Sequence, residues 1–148
     1  MGNSQFPIAL HILGFLTSQG GRPLTSKQMA VTYGTSPVVL RRVLAKLRQA
    51  GLVETRRGVG GGSVLARDPT EINLRQVYEA VSETTEILRR YSDDCTGIAA
   101  PVMAGYVNEL YTEAEQALLE KLESVTVADM DKEIRARIFA LAFSGKRC

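Results

Sequence analysis

The chain has 148 residues, 45% of them hydrophobic, with 18 Lys/Arg against 16 Asp/Glu for a net charge of +2. That is enough for one packed domain with an oligomerisation element and too little for two full domains. The apolar stretch from Phe6 to Leu16 has no basic leader or small-residue cleavage site and is interrupted by His11 and Gly14. It therefore reads as neither a signal peptide nor a membrane span, and a cytoplasmic protein without membrane attachment is expected. Two cysteines, Cys95 and Cys148, do not make the closely spaced set of a secreted disulfide scaffold, so a reducing compartment fits.

The charge is segregated along the chain. Residues 1–67 hold nine Lys/Arg and a single acid, Glu54, a local net of +8, whereas residues 68–148 hold nine bases and fifteen acids, a net of −6. Such asymmetry predicts that the first part meets a polyanion and that the second serves another purpose.

In chain order, Ala9, Ile12, Leu13 and Leu16 recur at helical spacing and predict a first helix from Ser4 to Ser18, stopped by Gly20 and Gly21. Thr25 with Gln28 three residues on is a capping box opening a short second helix to Tyr33. Gly34 allows a tight reversal, Ser36 serves as N-cap and Pro37 as first helical residue of a third helix running to about Ala50. Leu52–Arg57 and Ser63–Ala66 read as two short strands around a loop of Gly58, Val59, Gly60, Gly61 and Gly62. After a break at Asp68, Pro69 and Thr70, a fourth helix from Leu74 to Ser82 puts Leu74, Val77, Tyr78 and Val81 on one face. Glu83 to Gly97 shows no period and reads as a loop. The longest helical pattern follows, Ile98 to Val125, with Met103, Tyr106, Leu110, Ala114, Leu118, Leu122 and Val125 stepping by three or four. A seam of that length has little left in so small a chain to bury it, so its expected cover is a second copy. Thr126 with Asp129 opens a last helix carrying Ile134, Ile138 and Leu141.

The fold expected is mainly α with a small β-wing, a winged helix-turn-helix plus a long dimerisation helix. Its parts are a DNA-binding domain at 1–67, a connecting helix and sensor-region loop at 68–97, a dimerisation helix at 98–125 and a C-terminal helical segment at 126–148. On the third helix, Leu40, Val43, Leu44 and Leu47 must face inward, which turns Val38, Arg41, Arg42, Ala45, Lys46, Arg48 and Gln49 outward with no acid among them. Cations without local partners on a helix suit a major groove. Ser36, Pro37, Val38, Arg41 and Arg42 are placed to approach base edges, and Lys46 and Arg48 to approach phosphates. Arg56 and Arg57 stand at the base of the glycine loop, whose Gly60 and Gly61 let backbone come close to a sugar-phosphate chain. Thr25, at the start of the second helix, completes the candidate DNA-binding set.

A nucleotide-binding glycine loop is the competing reading, but such loops run from strand into helix and here the loop joins strand to strand. A protein-docking module would want an apolar exposed third helix, and RNA binding an aromatic platform that is missing. A single histidine, His11, and no nominated nucleophile or carboxylate pair leave an enzyme without parts.

The stretches LRRVLAKLRQAGLVETRRGVGGGSVLA, Leu40 to Ala66, and PTEINLRQVYEAV, Pro69 to Val81, resemble the recognition helix, aliphatic-Gly-Leu-Val turn, RG..GG wing and I.L..V..AV continuation of the Rrf2 regulators. The resemblance covers nearly the whole chain, with Ser63 standing where the family commonly has an aromatic. It implies a winged helix with a long dimerisation helix crossing its mate. The function implied is that of a homodimeric transcription regulator, a repressor, on a palindromic double-stranded DNA operator. Many members hold an iron-sulfur cluster on three cysteines about six residues apart in the loop before that helix. Here only Cys95 lies in the region, and the positions six and twelve residues on are Pro101 and Val107. No cofactor and no metal are therefore expected. Cys95 is the candidate redox sensor, though Asp93 and Asp94 beside it should raise its pKa and blunt it, and a silent cysteine is the favoured reading. His11 reads as a packed or half-exposed helix residue rather than a ligand, and Cys148 as inert. A small-molecule effector between the loop at 83–97 and the helix at Ile98 has no identity in the sequence.

Overall fold

A computed structural model describes residues 5–84, 86–91 and 97–144. Helix α1 (Gln5–Ser18) buries Ala9, Ile12, Leu13 and Leu16, the stripe its spacing predicts. Helix α2 (Ser26–Tyr33) opens on the Thr25–Gln28 capping box, and α3 (Pro37–Gln49) opens on Ser36, whose hydroxyl accepts the Val38 N–H at 3.2 Å. The end of α3 is closed by a pair of main-chain bonds, Leu52 N–H to the Leu47 carbonyl and Gly51 N–H to the Arg48 carbonyl, both 3.0 Å. This Schellman arrangement needs a left-handed residue, and Gly51 supplies it at φ 72°.

Strands β1 (Val53–Arg56) and β2 (Gly62–Leu65) pair antiparallel, with Val53 opposite Leu65 and Arg56 opposite Gly62. Leu24, unforeseen as part of the sheet, pairs with Ser63 on the other side of β2 through bonds of 3.0 and 2.8 Å. Ser63 is accordingly buried, so the position where the family resemblance expects an aromatic holds a small side chain beside the Leu24 backbone. Gly62 has the matching constraint: at φ 155° a Cβ there would come within 2.6 Å of Leu24 backbone atoms. Gly62→Ala is expected to cost about 2 kcal/mol from backbone strain and overpacking, read as a lowered urea midpoint; an unchanged midpoint would refute the steric assignment.

A 3₁₀ turn (Pro69–Glu71) leads into α4 (Leu74–Val81), which starts on an Asn73–Gln76 capping box. Leu74, Val77 and Val81 join the stripes of α1 and α3 in one core with Ile72 and Val127, and Tyr78 packs edge-on against Phe6 with centroids 5.3 Å apart.

Helix α5 (Ala99–Glu123) is about 37 Å long at 1.5 Å per residue. The turn between it and α6 (Val127–Phe143) docks on the start of α4 through Leu74 N–H to the Val125 carbonyl and Val127 N–H to the Ile72 carbonyl, 2.9 and 2.8 Å. Docking draws Leu122 and Val125 onto the chain's own core. The expected intermolecular seam is corrected there, because those two positions already have intramolecular cover. Thr126 and Asp129 cap α6, and the Thr126 N–H and hydroxyl hold the Asp129 carboxyl below its usual range. Among the described residues, no helix is long and apolar enough to cross a membrane.

Candidate nucleic-acid interface

Burying Leu40, Val43, Leu44 and Leu47 leaves the opposite side of α3 outward: Val38 is 60% exposed, and Arg41, Arg42, Ala45, Arg48 and Gln49 are exposed around it. Two of the arginines are steadied by neutral oxygens. Arg41 Nε donates to the Pro37 carbonyl at 3.2 Å, and Arg48 Nη1 donates to Thr55 Oγ1 of β1 at 2.8 Å. Arg41 and Arg48 form one wall of a recess of about 380 Å³ whose other sides include Thr25, Ser26, Thr55 and Gly61. The first turn of α2, one face of α3 and the root of the wing therefore meet around a concave, cationic surface.

The wing is braced at its base, where Arg56 Nη1 donates to the Gly21 carbonyl at 3.3 Å. Its tip turns on a Gly61 N–H to Gly58 carbonyl bond of 3.0 Å, and Arg57, Val59 and Gly60 are exposed. A Cβ at Gly61 would collide with the Arg56 carbonyl, so the close chain path requires glycine there.

Two of the predicted residues are engaged as helix caps, as their spacing predicts. Thr25 spends its oxygen and its N–H on Gln28, at 3.2 and 2.8 Å. The donors without helical partners at this helix start are those of the first turn, Ser26 and Lys27 among them, and they carry the positive end of the helix dipole. Ser36 Oγ accepts the Val38 N–H at 3.2 Å. Ser26 and Thr55 escaped the sequence reading; Ser26 was accessible by counting on from the cap, whereas Thr55 depends on the strand's placement against α3.

Lys46 is the clear correction. It is half-buried, and its Nζ donates to Glu83 Oε1 at 3.2 Å and to the Val81 carbonyl at 3.4 Å. The acid-free reading of α3 considered the helix alone, and the acid arrives from the chain leaving α4. Lys46 and Gln5, with the field of Arg42, hold the Glu83 carboxyl below its usual range. Among the described residues, Arg41, Arg42, Arg48, Arg56 and Arg57 have no carboxylate within ion-pair distance.

On α5, Met103, Tyr106, Leu110 and Leu118 are 56, 59, 44 and 40% exposed, and Ala114 is exposed beside them. The predicted stripe thus lies uncovered by its own chain from Met103 to Leu118, and Leu122 drops out of it. His11 is exposed, packs against Tyr33 with centroids 4.2 Å apart and planes tilted by 46°, and donates Nδ1–H to the Pro7 carbonyl at 3.0 Å. Cys95, with Asp93 and Asp94, and Cys148 lie outside the described residues. Pro101 and Val107 fall within α5 and offer hydrocarbon only, so the donor set does not fit a three-cysteine cluster.

A helix-turn-helix with a braced wing, an acid-poor cationic face and a long helix left open by its own chain defines a winged-helix, DNA-binding transcription regulator. Residues 3–133 match Rrf2, described as iron-dependent transcriptional regulators, and the chain belongs to that family. It is 32% identical to the HTH-type transcriptional regulator NsrR of Bacillus subtilis (strain 168), over 84% of this chain and 85% of that one. Among solved structures it is similar to CymR, the global cysteine regulator of B. subtilis, at TM-score 0.70 and 25% identity over 88% of this chain and 95% of that one. It is similar as well to T. potens IscR, at TM-score 0.68 and 25% identity over 88% and 85%.

Proposed function

We propose that the protein is a cytoplasmic, non-catalytic homodimer that represses transcription by placing two copies of α3 in successive major grooves, about 34 Å apart, of a roughly palindromic operator. The observation carrying this is the exposed set Arg41, Arg42, Arg48 and Arg57, which no carboxylate neutralises among the described residues. Arg42 and Val38 approach base edges, where a guanidinium can bridge the two acceptors of guanine and an isopropyl group can meet a thymine methyl. Arg41, Arg48, Arg56, Arg57 and the first-turn amides of α2 hold phosphates, and Gly60 and Gly61 let the wing backbone come close. The uncovered stripe from Met103 to Leu118 is the dimer seam. A docking module for another protein would present an apolar third helix, and this one is cationic.

The same reading assigns the protein no iron-sulfur cluster, because its donor set lacks two of three thiolates. Signal input then falls to Cys95, to a small molecule or to neither. Two measurements test the whole. Operator affinity, from fragments selected out of genomic DNA, is expected to fall with salt by about 0.9 log unit per log unit for each phosphate neutralised; a flat salt dependence would contradict phosphate binding. Anaerobically purified protein is expected to be colourless and iron-free, and a visible absorbance band accompanied by stoichiometric iron would overturn the cofactor assignment.

A further inference from the structure

The chain after α4 is tied to other elements at two places, Glu83 and residues 87–91. At its start, Glu83 reaches the recognition helix: its Oε1 lies 3.2 Å from Lys46 Nζ and accepts Gln5 Nε2 at 3.3 Å. Further on, the main chain at Ile87, Leu88 and Tyr91 is held against α5. Glu115, one of few buried charged residues, takes the Ile87 and Leu88 N–H groups on Oε1 at 3.0 and 2.7 Å and Arg90 Nη2 on Oε2 at 3.0 Å. Asn108 brackets Tyr91, accepting its N–H at 2.8 Å and donating to its carbonyl at 3.1 Å. Glu115 is the buried member of this set, so moving the segment off it would leave a buried carboxylate without its partners.

A carboxylate on the flank of a DNA-reading helix has a chemical consequence. Glu83 occupies the ammonium that a phosphate would otherwise engage, and its charge lies in the field of Arg42. We propose that Glu83 is an autoinhibitory group that competes with DNA phosphate for Lys46, and that the Glu115–Asn108 clamp of α5 on residues 87–91 sets whether it can. An event that loosens the clamp releases Lys46 and strengthens binding. The pair is partly solvated, so its hold is modest and reversible, as suits a modulator. The inference rests on the DNA-binding reading given above.

The test is fluorescence anisotropy on a duplex of mixed sequence, about 30 base pairs, across roughly 50 to 200 mM KCl, where binding is almost wholly electrostatic. Glu83→Gln is expected to steepen the salt slope by about 0.9 and to raise affinity roughly five- to tenfold near 0.1 M salt, the value of one added phosphate contact. In a Lys46→Met background the same substitution is expected to produce no such increase. Glu115→Gln, which weakens the clamp and leaves Glu83 in place, is expected to give part of the gain. An unchanged slope in Glu83→Gln, or a full gain surviving in the Lys46→Met background, overturns the competition. A parental slope in Glu115→Gln overturns the coupling to α5. Arg42→Ala is run alongside: if it is silent, the DNA face itself is misassigned, whereas if it weakens binding and Glu83→Gln does nothing, only the competition by Glu83 fails.

Discussion

Leu110→Arg is expected to convert the protein to a monomer and to lower operator affinity by about a hundredfold or more. Leu110 sits midway along the exposed stripe of α5, with Tyr106 one turn before it and Ala114 one turn after. A central interface side chain typically contributes about 2 to 4 kcal/mol, and replacing it with a cation adds the cost of burying unpaired charge. Loss of the second half-site contact follows, because linking two reading heads raises avidity by roughly 10² to 10⁴. Leu110 is 44% exposed in the protomer, so the substitution leaves the chain's own core alone and its thermal unfolding should stay cooperative. Sedimentation velocity gives the mass and anisotropy the affinity. A variant that sediments as a dimer and binds as the parent does would move the interface off this stripe, with α6 next in line. There Ile138, Phe139, Leu141 and Phe143 are 61, 64, 62 and 75% exposed.

What could be read from sequence divides by the range of the interaction. The helix starts are local chemistry: Thr25 with Gln28, Ser36 with Pro37, and Thr126 with Asp129 each declare a boundary within four residues, and each stands where expected. The inward stripe of α3 and the outward arginines follow from one period. Pairings between distant segments were not legible. Leu24 joins the wing by main-chain bonds that carry no side-chain signal. Leu122 obeys the seam's period yet packs on its own chain, because the turn after it folds back onto Ile72 and Leu74. Glu115 looks from its neighbours like one more acid on a solvated flank, but its partners are amides of an aperiodic stretch 27 and 28 residues away. The ion pair of Lys46 is hidden from the helix pattern for the same reason, its acid lying 37 residues on.

Arg42→Ala and Arg57→Glu should part company when each is titrated against the operator and against mixed-sequence DNA. Arg42 leaves the exposed face of α3 in its second turn, near Val38, where the helix start can approach base edges. Removing a bidentate guanine contact is expected to cost about 1 to 3 kcal/mol at the operator, a loss of roughly five- to 150-fold, and much less on mixed sequence. Discrimination between the two duplexes therefore falls. Arg57 lies at the wing's base beside exposed backbone, and a phosphate is indifferent to sequence. Reversing its charge should weaken both duplexes by the same factor and flatten both salt slopes by about 0.9 or more. If instead Arg57→Glu were to erode operator preference while Arg42→Ala weakened both duplexes alike, the wing would be the reader and α3 the anchor, and the docking geometry assigned to this face would have to be reversed.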